Sequence, residues 1–219
     1  AANGSMYTHD VSATDSTAIQ NTGYGFTSLD AVTTGDRNTA IGFDAGTLIN
    51  TGNDNTIIGN AAGDALTSGS FNVALGKSAL STEDGHGRNI AIGYAALETQ
   101  DAGADAYNVA VGFNAGNAIT TGLQNVFIGG LTGDALTTGK HNVAVGFQSL
   151  SSANAGDFSV AIGHSALREQ SGASAGSNFY NVAVGYNAGL AMTTGVNNTL
   201  VGGLAGDAIV GGNNNIAMG

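Results

Sequence analysis

One pentapeptide, Asn-x-x-apolar-Gly, recurs twelve times and accounts for almost the whole chain. Its copies begin at Asn21, Asn38, Asn55, Asn72, Asn89, Asn108, Asn125, Asn142, Ser159, Asn181, Asn198 and Asn215, with Ser159 the one replacement of the Asn. Nine of the eleven steps between copies are 17 residues; the other two are 19 and 22, and their extra residues fall in Asp101–Tyr107 and Ser171–Tyr180. A fixed period of this kind points to a stack of short, similar units rather than a globular domain with a unique core.

Numbering each unit from its Asn, position five is Gly in all twelve copies and position four is apolar in all twelve, from Tyr24 and Ile41 to Val201 and Met218. Position two is always β-branched, as in Thr39, Val73 and Ile90. Such alternation closed by Gly predicts a short strand. Later positions carry an apolar pair such as Ala65-Leu66 or Ala118-Ile119 and then a Thr-Thr-Gly or Thr-Ser-Gly turn, which predicts a second short strand and a second turn. Stacked about 4.8 Å apart, the units form an all-β parallel β-solenoid, or β-roll, of about twelve 17-residue coils over residues 21–219. Residues 1–20 are expected to be an N-terminal cap or linker, with a strand-like motif at Ser16–Gln20.

Composition agrees. The 219 residues include 36 Gly and no Pro. Pro lacks the N–H that each coil must donate to its neighbour. The column Asn21, Asn38, Asn55, Asn72, Asn89, Asn108, Asn125, Asn142, Asn181, Asn198 and Asn215 is expected to hydrogen-bond along the stack. Every fourth unit resembles itself, giving a superperiod of 70 and then 73 residues.

Position three is usually Ala, but becomes Ile57, Phe127 or Leu200 in units whose position six is Asn60, Gly130 or Gly203. Position six is otherwise often aromatic: Phe26, Phe43, Tyr94, Phe113, Phe147 and Tyr186. Large at three with small at six predicts that both fill one packed space; the alternative is that these rings take a ligand, stacking on sugars. Because position three faces away from two and four, both strand faces are apolar or small, and the outer one is expected to meet another copy of the chain.

A net charge of −11 excludes nucleic acid and an anionic membrane surface as partners. No Cys means no disulfide framework and no thiolate metal site, and no apolar stretch is long enough to insert in a membrane. The first residues, Ala-Ala-Asn-Gly-Ser, suggest a processed product or a piece of a longer protein, and Gly219 closes a pentapeptide, where a cap or a further subunit is expected. His9, His86, His141 and His164 do not stand at metal-ligand spacing with one another and are read as turn residues. Asp30, Asp64, Asp134 and Asp207 recur at one position and are read as turn carboxylates. No cofactor is expected; the Asp101–Asp105 loop offers at most weak Ca²⁺ binding. There is no Gly-x-Ser-x-Gly elbow or phosphate loop, so no enzyme is expected. A Thr ladder suited to ice is broken at Asp84, Asn154 and Val210.

Asn-Val-Ala-Val-Gly at residues 108–112, 142–146 and 181–185, Asn-Thr-Ala-Ile-Gly at 38–42 and Ser-Val-Ala-Ile-Gly at 159–163 resemble the head repeats of trimeric autotransporter adhesins, and equally the repeats of phage tail-fibre proteins. The resemblance covers residues 21–219, although this unit is longer than the usual adhesin head coil. It implies a parallel β-roll, a homotrimer, and a non-enzymatic attachment or fibre role outside the cell, on its surface or on a virion tail, with a cell-surface glycan or protein as receptor. The alternative is a structural subunit of an end-to-end extracellular filament.

Overall fold

A computed structural model of the protein describes residues 6–7, 17–171 and 176–219. The chain is an all-β parallel β-solenoid that divides into two compact units, residues 1–108 and 109–219. The first holds β1 (Met6–Tyr7), β2 (Thr22–Tyr24), β3 (Thr39–Ile41), β4 (Thr56–Ile58), β5 (Val73–Leu75) and β6 (Ile90–Ile92). The second holds β7 (Val109–Val111), β8 (Val126–Ile128), β9 (Val143–Val145), β10 (Val160–Ile162), β11 (Val182–Val184), β12 (Thr199–Val201) and β13 (Ile216–Met218). Within each unit every strand pairs in parallel with the next in chain order, Thr39 opposite Thr56 and Val126 opposite Val143, so sequence period and register are the same quantity. The step of 22 residues changes nothing in the ladder: Val160 still faces Val182. Among the described residues no helix is long and apolar enough to cross a membrane.

Each coil carries one strand, not the expected two. After the strand, Gly at position five takes φ between 130° and 147°, where any other residue is strained. A Cβ on Gly129 would also lie 2.6 Å from the carbonyl oxygen of Gly146 in the next coil. Positions seven and nine then enter the left-handed region, as Asp44 (φ 55°) and Gly46 (φ 56°) do, and so does the residue before each column Asn, as Asp54 (φ 58°) does. Left-handed turns therefore occupy the place of the second strand. The same turn geometry explains residues 17–20: no strand forms there, and Gln20 (φ 62°) turns the chain into Asn21. Ser16 lies outside the described residues. The strand of this region is β1, which pairs with β2 through Met6 opposite Thr22.

The Asn column is fully buried from Asn21 to Asn198 and half-buried at Asn215. Each amide oxygen accepts the backbone N–H of the Asn one coil on, as in Asn38 N to Asn21 Oδ1 (2.8 Å) and Asn142 N to Asn125 Oδ1 (2.9 Å). Most amide nitrogens close their own coil, as in Asn38 Nδ2 to Gly52 O (2.8 Å) and Asn181 Nδ2 to Gly195 O (2.7 Å), but Asn108 Nδ2 donates to Gln100 Oε1 (2.6 Å) and Asn89 Nδ2 is buried without a hydrogen bond. Direct amide-to-amide bonds occur at Asn55 to Asn38 and Asn198 to Asn181. At Ser159 a neighbour supplies the missing amide: Gln170 Nε2 donates to Ser159 Oγ (2.8 Å), and Gln170 Oε1 accepts from Asn181 Nδ2 (3.0 Å).

The interior is narrow. Position three is buried from β2 to β12 and half-buried at Ala217, with Ala40, Ala74, Ala110 and Ala161 beside the larger Ile57, Phe127 and Leu200, and position eight is buried and small, as Ala45, Ala62 and Ser149. Volume is exchanged between positions nine and twelve. Leu80, Leu97, Leu150 and Leu167 at nine go with Glu83, Gln100, Ala153 and Gln170 at twelve, whereas Gly46, Gly63, Gly116 and Gly189 go with Ile49, Leu66, Ile119 and Met192. A Cβ on Gly46 would lie 2.8 Å from Ile49 Cδ1, and one on Gly63 2.9 Å from Leu66 Cδ1. The expected exchange between positions three and six does not occur. Phe127 is wholly interior, while a Cβ on Gly130 would meet only the outer Phe147 ring at 3.5 Å. Position three compensates position nine instead.

Candidate functional site

Positions two and four point outward from every strand because position three points in. In the first unit they are Thr22, Thr39, Thr56, Val73 and Ile90, then Tyr24, Ile41, Ile58, Leu75 and Ile92. In the second they run from Val109 and Val111 to Ile216 and Met218. None of these residues is charged in a chain of net charge −11, and all are half-buried or exposed. Each unit thus presents an uncharged, largely β-branched strand face to solvent.

Stacked side chains border this face at both ends of the strands. Position six, expected to pack inward, is exposed: Phe26 by 69%, Phe113 by 55% and Tyr186 by 57%, with Phe43, Tyr94 and Phe147 near half. Parallel register puts like residues one strand spacing apart, so the rings meet along the column: Phe26 stacks on Phe43 (centroids 6.0 Å, interplanar 16°), and Phe147, His164 and Tyr186 follow in a row at 5.5 and 5.4 Å, tilted by 34° and 32°. Lys77 Nζ lies 6.0 Å from the Tyr94 ring centre. Rings stacked along the coil axis cover one another's faces and turn their edges to solvent. That geometry suits an edge-on protein contact better than a sugar, which stacks on an open ring face.

The second border, at the residue before each column Asn, was not singled out in the sequence. It contains Phe71, Arg88 and Tyr107 in the first unit and His141, Phe158 and Tyr180 in the second. The Arg88 guanidinium lies 4.8 Å over Phe71 and 5.7 Å from the Tyr107 ring; His141 stacks on Phe158 at 4.8 Å, and Phe158 on Tyr180 at 5.2 Å. The signal was legible as an aromatic or cation directly ahead of the pentapeptide, but these residues all sit at positive φ, where bulky side chains are not expected.

Of the other residues, His9 lies outside the described residues, His141 and His164 belong to these stacks, and His86 faces Glu83, its Nδ1 3.6 Å from Glu83 Oε1. Asp105 of the first inserted loop accepts from Arg88 Nε (2.9 Å) and from Gly87 N (3.1 Å). Asp54 accepts from Arg37 Nε and Nη2 at 2.7 and 2.9 Å, and that hydrogen bond holds its carboxyl below the usual range. Asp64 and Asp134 each have one buried oxygen without a hydrogen bond, and burial pushes both carboxyls up. The chain matches no protein-family model, no curated protein and no solved structure.

Proposed function

We propose that this protein is a non-enzymatic attachment or fibre module acting outside the cell, at a cell surface or on a virion tail, and that its solenoid assembles as a homotrimer through the outward strand face. The observation that carries this reading is that face: uncharged at positions two and four in every coil and β-branched at position two throughout, with rings along its borders. An apolar surface of this extent on an otherwise acidic chain is characteristic of an interaction site, and a repeat of one patch favours a partner with the same repeat, namely another copy. The likeness of Asn-Val-Ala-Val-Gly and Asn-Thr-Ala-Ile-Gly to adhesin-head and tail-fibre repeats supports the same conclusion.

Sedimentation of the purified chain tests it. A trimer at micromolar concentration is expected, and a stable monomer there overturns the assembly. Electron microscopy separates the reading from an end-to-end filament, since discrete short particles are expected and long uniform filaments favour the alternative.

A further inference from the structure

Position twelve is a core column. Ile49, Leu66, Ile119, Leu136 and Met192 occupy it and are wholly buried. In the coil that opens at Asn72 the same place is taken by Glu83, whose exposure is also 0%. A buried carboxylate is costly unless a cation or several donors meet it. Glu83 Oε1 accepts the His86 backbone N–H at 3.1 Å, but Oε2 has no hydrogen bond. Among the described residues its one ion-pair partner is the His86 imidazole, 3.6 Å away, and that Nδ1 is itself buried without a hydrogen bond. Glu83 Oε2 and His86 Nδ1 are thus both buried without a hydrogen bond, and Nδ1 stands 3.6 Å from Oε1, too long for one.

We propose that Glu83, Asp84 and His86 form a binding site for a divalent first-row transition-metal ion. One oxygen or nitrogen of each residue lies within 4.8 Å of the other two. Ligands of a tetrahedral ion with bonds of about 2.0–2.1 Å stand roughly 3.4 Å apart, so small rotations of the exposed Asp84 and half-exposed His86 close the set around the fixed Glu83. One imidazole with two carboxylates selects zinc-like ions, whereas Ca²⁺ takes oxygen ligands.

The duplication of the coils supplies a second argument. The coil one superperiod later reads Ala153-Asn154-Ala155-Gly156 where this one reads Glu83-Asp84-Gly85-His86, so all three ligands are lost together. His86 also interrupts a column otherwise held by Gly in the 17-residue coils, among them Gly52, Gly69, Gly139 and Gly195. Leu80 at position nine fills the core of this coil, as Leu97 and Leu167 do beside Gln100 and Gln170, so packing accounts for a polar residue at position twelve; it does not account for an acidic one together with the loss of this Gly and the convergence of donors. The site is independent of the attachment reading.

Zinc titration of the intact chain, read by calorimetry and by melting temperature, tests the assignment. The expected result is one zinc per chain and a melting temperature that rises with zinc concentration. Glu83→Gln installs the residue that Gln100 and Gln170 hold beside a Leu at position nine, and His86→Gly restores the Gly column; both should stay folded and bind zinc at least tenfold more weakly. A parent that shows no zinc response, with Glu83→Gln simply more stable, marks the cluster as an ion pair only and overturns the proposal. Retention of zinc binding in both variants, or an equal response to Ca²⁺, overturns it as well.

Discussion

Phe127 fills the space that a side chain at residue 133 would need: a Cβ on Gly133 would lie 2.5 Å from Phe127 Cε1 and 2.7 Å from Cδ1. Gly133→Ala should therefore cost about 1–3 kcal/mol by overpacking. In a Phe127→Ala background, itself destabilised by about 3–5 kcal/mol, the same change should cost much less. Melts of the four proteins give the coupling energy; simple additivity would mean the two positions share no space. Gly130→Phe, by contrast, adds a ring to the exposed column and should shift stability by less than about 1 kcal/mol.

The Asn ladder predicts a gradient along the stack. Asn125→Ala leaves the Asn142 N–H and the Gly139 carbonyl, now bonded at 2.9 Å each, without partners in the interior. At about 1–3 kcal/mol per orphaned group, the loss should reach roughly 2–4 kcal/mol in denaturant unfolding. Asn215→Ala, at a half-buried site, should lose distinctly less. Gln170→Ala should behave like a column Asn, because it strips Ser159 and Asn181 of the amide that joins them.

Acid should stabilise two buried carboxylates. Burial raises Asp64, with the nearby Asp44 charge adding to it, and burial raises Asp134. A folded pKa above the unfolded one stabilises fully below the ordinary value of 3.8, and this contribution is lost as pH rises through the folded pKa. A rise in melting temperature is therefore expected on going from pH 7 towards pH 4, and Asp64→Asn with Asp134→Asn should flatten it. Unchanged steepness in the double variant would show that these groups do not set it. Asp54 works in the opposite sense, but it is exposed and screened.

The strand face yields a test in which folding and assembly part. Ile162 is 38% exposed at position four of β10, so Ile162→Glu should change the melting of an isolated chain by under about 1 kcal/mol. Placed in a trimer interface it sets like charges against one another, and sedimentation should then show monomers. A trimer that survives Ile162→Glu, and Val145→Glu beside it, would place the interface elsewhere.

The two ends of the coil differ in how much the amino-acid sequence says about them. From the Asn to the Gly of each pentapeptide, the chain is extended and side chains alternate, so period two placed Ala161 on one face and Val160 and Ile162 on the other, and the structure decided that Ala161 is the buried one. Parallel pairing in register followed from the 17-residue period, and the buried Asn ladder from its constancy. Alternation stops at Gly. With φ near 140° at position five and left-handed residues at seven and nine, as at Gly146, Gln148 and Leu150, no period relates a side chain's number to its direction. Tertiary structure alone decided that Phe147 points out, that Leu150 points in despite a φ of 54°, and that Phe127 meets Gly133 rather than Gly130. The reason is physical: a left-handed Leu costs about 1–2 kcal/mol in backbone energy, which local sequence disfavours, and only burial against the neighbouring coils offsets it.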